Sequence, residues 1–343
     1  MITVAVTGLN SFLGAPGMGI VHALRLSKDK SLRIIGIDYS PFSDGFFSGQ
    51  LDGTYVIPTP KDSKFLVELG RIAKTDRIDV MIPSLDAEVI LLSRMKEKIE
   101  SDLGIRLLIP DPSCIMRVRD KVAQLRFLEE NRIPYPKSKV ASLHNLNELT
   151  DIRFPVLIKC EDGAFPAFNE EEMSVIMRRL KRRKFVVQEY VEGDEYSICL
   201  LAYPKGEIYG YVIQKKMAQS DIGATLVGVT VDRQDVLEIS RDFVRKLGWI
   251  GPMELEFRGR DKLYLTDINL RFPAWVSLTA AAGVNLPYAA VQLALGRRYE
   301  VGKQRTGVVI VRTVRDVHIN IFDLFKFSKS RQFLGQDNKF IAQ

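Results

Sequence analysis

Two different alternation patterns divide the chain, and the point where one replaces the other limits the fold more than any single residue. As far as about residue 110, strand-length apolar runs alternate with helical stretches. These are ITVAVTG (2–8), a glycine-rich turn, a helix near Ile20 to Ser27, LRIIGID (32–38), IDVMIPS (78–84) and IRLLIP (105–110). Such alternation predicts a parallel sheet with helices on both faces. From Asp111 the pattern changes to a proline-bounded turn, a helix from about Asp120 to Asn131, and then the runs FPVLIKC (154–160), KFVVQEYVEGDEYSICLLAY (184–203) and EIYGYVIQKK (207–216). The second part reads as α+β with antiparallel pairing. The expected division is 1–115, 116–187 and 188–343.

With 343 residues and 46% hydrophobic content the chain can bury a large core. Cys114, Cys160 and Cys199 are far apart and form no CxxC pair, which excludes a disulfide framework and a cysteine metal site and fits a reducing cytoplasm. His22, His144 and His318 are scattered, which argues against a histidine-based metal or hydrolase site. Met1 to Val6 lacks a basic flank and reads as a first strand, and no apolar run reaches the roughly 18 residues that span a bilayer. The net charge of +7 raises the question of nucleic acid. Its densest basic run, Arg178 to Lys184, ends a helix opened by Asn169, Glu170, Glu171 and Glu172, so the charges complement the helix dipole. Neither a nucleic-acid nor a membrane partner is expected.

Chemistry concentrates in GPMELEFRGRDKLYLTDINLR, residues 251–271. MELEF and KLYLTDIN have the period of half-buried strands, and Arg258 to Lys262 forms a polar turn between them. Side chains two apart share a face, so Asp267 projects with Asn269 and Glu254 with Glu256. One glutamate with Asp267 and Asn269 supplies a donor set suited to magnesium, with manganese as an alternative. Lys159 ends an apolar strand, where its ammonium can neutralise phosphate. Lys215 and Lys216 close another strand, and only one of them can point inward. In the first part, the turn TGLNSFLGAPGMG (7–19) lets backbone amides approach an anion but lacks the GxGxxG spacing. Asp38 lies where a ribose-binding acid would sit, and Asp86 lies beyond a strand's carboxyl end, where it either meets a ligand or caps a helix.

Taken in order, RDK at Arg119 to Lys121, FPVLIK ending at Lys159, QEYVEGDEYS (188–197), ELEF (254–257) and DINLR (267–271) resemble the ATP-grasp superfamily of ligases. The resemblance covers essentially the whole chain. Its start looks like the domain that precedes an ATP-grasp fold in carbamoyl phosphate synthase-like and carboxylate-amine ligase-like members. The resemblance implies an α/β parallel-sheet domain followed by an α+β ATP-grasp fold, with ATP and magnesium as cofactors. It implies that Lys121 and Lys159 contact phosphates, that the backbone of Glu189, Tyr190 and Val191 reads the adenine edge, and that Gln188 touches the adenine amino group. It further gives Glu195 the ribose, Glu256, Asp267 and Asn269 the metal, and Arg271 the terminal phosphate, with Lys159 and Arg271 as the catalytic pair. Lys215 is placed among the cofactor contacts, and Glu254 can substitute for Glu256.

Two departures stand out. Leu270 occupies a place where the family usually has proline, and CEDGAFPAFNEEE (160–172) replaces a glycine- and serine-rich closing loop. The expected activity is ATP-dependent joining of a small-molecule or peptide carboxylate to an amine through an acyl phosphate, with a homodimer as an allowed assembly. The competing readings are a nucleotide-binding scaffold with little turnover and a nicotinamide oxidoreductase built on the first domain. The stretch NIFDLFKF near the end predicts a terminal helix packed through Ile321, Leu324 and Phe325.

Overall fold

The computed structural model describes residues 1–11, 14–143, 149, 151–160, 163–180, 184–220, 223–313, 316–322, 324–325 and 332–334 and arranges them around three sheets. Strands β1 (Ile2–Thr7), β2 (Leu32–Asp38), β3 (Gly53–Val56) and β4 (Val80–Ile82) run parallel in the order β3-β2-β1-β4. Every residue of β1 is buried, as a strand covered on both faces must be. Helices α1 (Gly17–Leu26), α2 (Phe65–Asp76) and α3 (Asp86–Leu103) alternate with these strands. IRLLIP falls short of the expected strand, because its pairing with this sheet is a single parallel bridge between Val80 and Arg106.

Helices α4 (Pro112–Val118) and α5 (Lys121–Glu130) lead into a second sheet. It holds β5 (Ser138–Ala141), β6 (Val156–Cys160), β7 (Gly163–Ala167) and, after α6 (Glu170–Leu180), β8 (Phe185–Glu189), in the antiparallel order β5-β8-β6-β7. Pro166 is tolerated because β7 is an edge strand. The start of α6 is capped as its sequence predicts: Glu172 N–H donates to Asn169 Oδ1 at 2.9 Å and Phe168 N–H donates to Glu172 Oε2 at 2.9 Å.

The third sheet contains β9 (Asp194–Ala202), β10 (Ile208–Gln219), β11 (Thr225–Thr230), β12 (Gly251–Gly259), β13 (Tyr264–Asn269) and β14 (Val309–Val311), in the order β13-β12-β9-β10-β11-β14. Helix α7 (Gln234–Leu247) packs beneath it through Val236, Leu237, Phe243, Val244 and Leu247, all buried at helical spacing. Burying a side chain such as Phe243 contributes about 1.5–3 kcal/mol. Helices α8 (Ser277–Ala281) and α9 (Leu286–Ala294) form a buried pair, and Phe272, Trp275 and Val276 share one core with α1 and the parallel sheet. Gly19 of α1 permits that closeness, because a Cβ there would stand 2.7 Å from the Ala274 carbonyl oxygen.

The tail differs from expectation. Residues 321, 322, 324 and 325 are helical, yet Ile321, Phe322 and Phe325 are exposed, so this turn does not pack as the apolar spacing predicts. Beyond it, β15 (Gln332–Leu334) lies antiparallel to β3 at the edge of the first sheet. Among the described residues no helix is long and apolar enough to cross a membrane.

Candidate active site

The hairpin β12–β13 forms as its alternation requires, and its register brings the two halves of the donor set together. Glu254 stands opposite Asn269 and Glu256 opposite Asp267, so all four project from one face. A bulge after Glu256 follows these pairs without disturbing them. The partner strand β9 continues the same face, with Glu195 opposite Arg258 and Ser197 opposite Glu256.

A cleft of about 670 Å³ lies between α4, α5 and the second sheet, lined by Arg117, Arg119, Lys121, Arg126, Lys159 and Lys184 among others. A smaller void of about 20 Å³ beneath it touches Lys121, Lys159, Gln188 and Asp267. Lys159 is 6% exposed and donates to the Thr266 carbonyl, so β6 is tied to β13 across the cleft. Burial pushes its ammonium down to about 8, with Asp267, Glu256 and Glu195 opposing the shift and Lys121 adding to it. Those four neighbours locate the centre of the site.

Each carboxylate there has a cation. Lys121, at the first position of α5 next to the N-cap Asp120, pairs with Asp267. Burial would raise the Asp267 carboxyl, but Lys121 and Lys159 hold it below its ordinary range. Glu256 pairs with Lys216 at 2.8 Å, and Glu195 lies 2.7 Å from Arg258 and 3.8 Å from Lys216. Glu254 accepts from the Trp275 indole at 2.6 Å and from Asn269 Nδ2 at 3.0 Å, with Arg271 at 3.9 Å. Burial, and then repulsion from Glu256, pushes Glu254 up to about 7. Because an ionised carboxylate only accepts and a guanidinium only donates, Glu254 and Arg271 together orient the Asn269 amide. Its Nδ2 faces Glu254, and its Oδ1 accepts from Arg271 at 3.3 Å.

The lysine pair resolves against Lys215. Its side chain is one-third exposed and binds Asp194 at 2.7 Å, whereas the Lys216 side chain is 2% exposed and also donates to the Gly223 carbonyl at 2.9 Å. The physical reason is register: Lys215 stands opposite Tyr196, which turns the next residue toward the acidic face. Although burial alone would lower it, the carboxylates of Glu256, Glu195 and Glu254 keep the Lys216 ammonium above its ordinary range.

The strand-to-strand link 188–195 is positioned but partly committed. Gln188 is buried, donates to Ser138 Oγ at 3.0 Å and has an Oε1 with no hydrogen-bond partner. The Glu189 N–H and Tyr190 N–H already donate to Lys137 and Pro155 carbonyls, and the Glu189 carboxylate accepts from Arg153 N–H at 2.9 Å. Tyr190 lies under the Arg258 guanidinium, 4.7 Å from ring centroid to Cζ, and Val191 beside it is half-buried. Gly193 has φ +130°, and a Cβ there would come within 2.4 Å of Gly259. The bend before Glu195 therefore needs glycine.

Among the described residues no three His, Cys, Asp or Glu side chains already converge on a point that would hold a metal. The hairpin offers two acids and an amide oxygen instead, which is the oxygen-rich, incomplete set that suits magnesium shared with phosphates. Two residues that matter here are given no role by the sequence, and one of them, Arg258, assigned there to the turn, belongs to β12. Arg258 continues the period-2 series after Glu254 and Glu256, so it was detectable, whereas the Trp275 contact joins residues 21 apart across a change of element.

In the parallel-sheet domain, Asp38 is spent on the turn. Its carboxylate accepts from Leu9 N–H at 2.6 Å and Tyr39 N–H at 2.6 Å, so it is not available to a ribose. Asp86 is the first residue of α3 and accepts from Leu270 N–H at 3.0 Å. Where the family carries a closing loop, β6 and β7 pair antiparallel up to Cys160 opposite Gly163, in keeping with the shortened segment read from the sequence.

Residues 181–317 match the family model described as ATP-grasp in the biosynthetic pathway with Ter operon. A carbamoyl-phosphate synthase of Methanobrevibacter smithii is 23% identical over 271 residues, covering 72% of this chain and 70% of that protein. The fold matches L-amino acid ligase from Bacillus licheniformis with TM-score 0.66 at 17% identity, over 86% of this chain and 74% of that one. It matches N5-carboxyaminoimidazole ribonucleotide synthetase from Thermotoga maritima with TM-score 0.64 at 20% identity, over 90% and 79%. The biotin carboxylase domain of 2-oxoglutarate carboxylase from Hydrogenobacter thermophilus gives TM-score 0.69 at 16% identity, over 90% and 73%. Part of the chain thus matches an ATP-grasp family model, and over most of its length the chain is similar in sequence to a carbamoyl-phosphate synthase and in fold to these ligases.

Proposed function

We propose that the protein is an ATP- and magnesium-dependent ligase that joins a small-molecule or peptide carboxylate to an amine or related nucleophile. The observation that carries this reading is the gathering of Asp267, Glu256 and Glu195 of the third sheet around the buried ammonium of Lys159 from the second sheet. Five cations (Lys121, Lys159, Lys216, Arg258, Arg271) accompany four carboxylates (Glu195, Glu254, Glu256, Asp267), of which Glu254 is pushed up to about 7, so the site is net positive before any ligand enters. Such a site suits an anionic magnesium nucleotide. The lysines turn from their carboxylates to phosphates, and the freed oxygens of Glu256, Asp267 and Asn269 hold the metal. Bound magnesium would supply charge neutralisation at the phosphates.

The adenine edge falls to the Val191 N–H and the unpartnered Gln188 Oε1, an acceptor suited to an amino group. Glu195 takes the ribose hydroxyls. Lys121, Lys159 and Lys216 neutralise phosphate oxygens, and Arg271 braces the terminal phosphoryl group as charge develops. The substrate carboxylate oxygen attacks the terminal phosphorus as the bond to ADP breaks. The amine nitrogen then attacks the acyl carbon, phosphate leaves, and the amine loses a proton. No side-chain nucleophile is needed, because positioning and charge neutralisation carry the step.

A second reading, a nucleotide-binding scaffold with little turnover, is favoured by the tight β6–β7 hairpin in place of a closing loop. Release of ADP from MgATP, measured against pooled carboxylates and amines, decides between them. Pairing-dependent release is expected, and tight binding with no release under any pairing favours the scaffold. Protection against heat by MgATP is the companion measurement, and protection by NAD alone would overturn the nucleotide assignment.

A further inference from the structure

The segment that carries Arg271 crosses between two cores. Leu270 is buried in the core beneath the third sheet, and Phe272 is buried in the core shared with α1 and the parallel sheet. At this crossing the Leu270 N–H donates to Asp86 Oδ1 at 3.0 Å, a bond between residues 184 apart in the chain. Asp86 is itself well placed to hold still. It opens α3, directly after Leu85, whose N–H donates to the buried Glu88, and Glu88 in turn accepts from Thr7 Oγ1 and Ser84 N–H. The Arg271 guanidinium, one residue beyond the bond, donates to the Phe272 carbonyl at 3.0 Å and to Asn269 Oδ1 at 3.3 Å.

We propose that Asp86 is a positioning residue for Arg271. It fixes the Leu270 backbone, sets the approach of the guanidinium to the terminal phosphate, and makes that approach depend on the parallel-sheet domain. A backbone N–H at this junction requires an acceptor, and a carboxylate gives a stronger bond than a neutral group. Proline at 270 would carry no N–H and would fix φ, so it would make the acceptor dispensable. The inference rests on the reading above in which Arg271 braces the terminal phosphate.

The test is calorimetric binding of MgADP and of the magnesium complex of a non-hydrolysable ATP analogue to the full chain. The ratio of the two affinities reports contacts to the terminal phosphate, and general loosening of the fold does not move it. D86A should lower that ratio about tenfold while leaving MgADP affinity within about twofold, and D86N, which keeps Oδ1, should stay close to the unsubstituted protein. In the L270P background, D86A should cost nothing further. An unchanged ratio in D86A, or an equal loss in the L270P background, overturns the proposal. Where D86A does not fold, D86E displaces the acceptor by one methylene and should lower the ratio, and its failure to do so overturns the proposal equally. R271A separates the two levels: if it leaves the ratio unchanged, the reading of Arg271 fails first.

Discussion

Buried and half-buried carboxylates occur in two regions of this molecule, and their partners differ in kind. In the parallel-sheet domain Glu88 is fully buried and accepts from the Thr7 hydroxyl at 2.5 Å, the Ser84 N–H at 3.0 Å, the Leu85 N–H at 3.1 Å and the Tyr39 hydroxyl. These are neutral donors, two on the backbone, one a single rotamer from it and one on a rigid ring. Around the hairpin, Asp267 and Glu256 meet lysine ammoniums, and Glu195 meets a guanidinium, all on long flexible arms. The first arrangement fixes a turn. The second stores compensated charge that a ligand can redistribute, because a long cationic arm can leave one anion for another. Burial alone therefore does not distinguish structural from functional carboxylates, but the mobility of the partner does.

The strongest way to break that contrast is to remove one carboxylate from each region. D267A should weaken magnesium-dependent nucleotide binding on the order of a hundredfold, since loss even of groups behind a metal ligand costs 10–100-fold. Its unfolding temperature should change little. Calorimetry with and without magnesium measures the first effect, and unchanged MgATP affinity would refute the metal role. E88A should do the reverse. Leaving two hydroxyls and two amides without their acceptor, and a cavity beside them, should cost about 3 kcal/mol in denaturant unfolding with MgADP affinity retained. Equal effects of the two variants on binding would erase the distinction.

The pH dependence sharpens the same contrast through Lys159. Its ammonium is pushed down to about 8 by burial, so above that pH the free protein presents a neutral amine to phosphate. Nucleotide affinity should therefore fall about tenfold per pH unit at most as pH rises above about 8. Stability runs the other way. The folded value lies below the ordinary lysine value, so folding carries the cost of a buried ammonium below pH 8, and that cost disappears as pH rises from about 8 toward the unfolded value. Titration calorimetry between pH 7 and 9 measures the first slope, and K159R, whose guanidinium stays charged, should flatten it. A pH-independent affinity in the unsubstituted protein would remove Lys159 from the phosphate site.

Legibility in the sequence followed the range of the interaction. Strand alternation is a two-residue rule, and it puts Glu254 with Glu256 and Asp267 with Asn269 on one side of their own strands, while the register that joins the two pairs on one face comes only with the structure. The same rule extended by one step includes Arg258. Long-range pairing was not legible. Asp38 reads as a candidate ribose acid and Asp86 as either a ligand contact or a helix cap, because each ends or follows a strand; Asp38 instead accepts from Leu9 and Tyr39, and Asp86 opens α3 and accepts from Leu270. IRLLIP has strand composition but only one bridging partner, and Ile321 and Phe325 have helical spacing without a surface to cover. In each case local pattern describes what a segment is able to do, and distant residues decide whether it does so.

The smallest expected effect tests that point directly on neighbouring residues of identical type. Alternation states that one of Lys215 and Lys216 faces inward, and pairing with β9 decides which. Lys215 pairs with Asp194 on the outer side, an exposed ion pair of the kind worth about 0–1 kcal/mol. Lys216 joins Glu256 to the Gly223 carbonyl inside the site. K215A should accordingly leave MgATP affinity within about twofold and stability within about 1 kcal/mol. K216A should weaken MgATP binding about tenfold, because it removes a phosphate partner and leaves Glu256 without its nearest cation. Parallel calorimetry on the two variants reads the difference. If K215A were the weaker binder, the β9–β10 register would be wrong by one residue, and the acidic face would have to be redrawn from Gln214 outward.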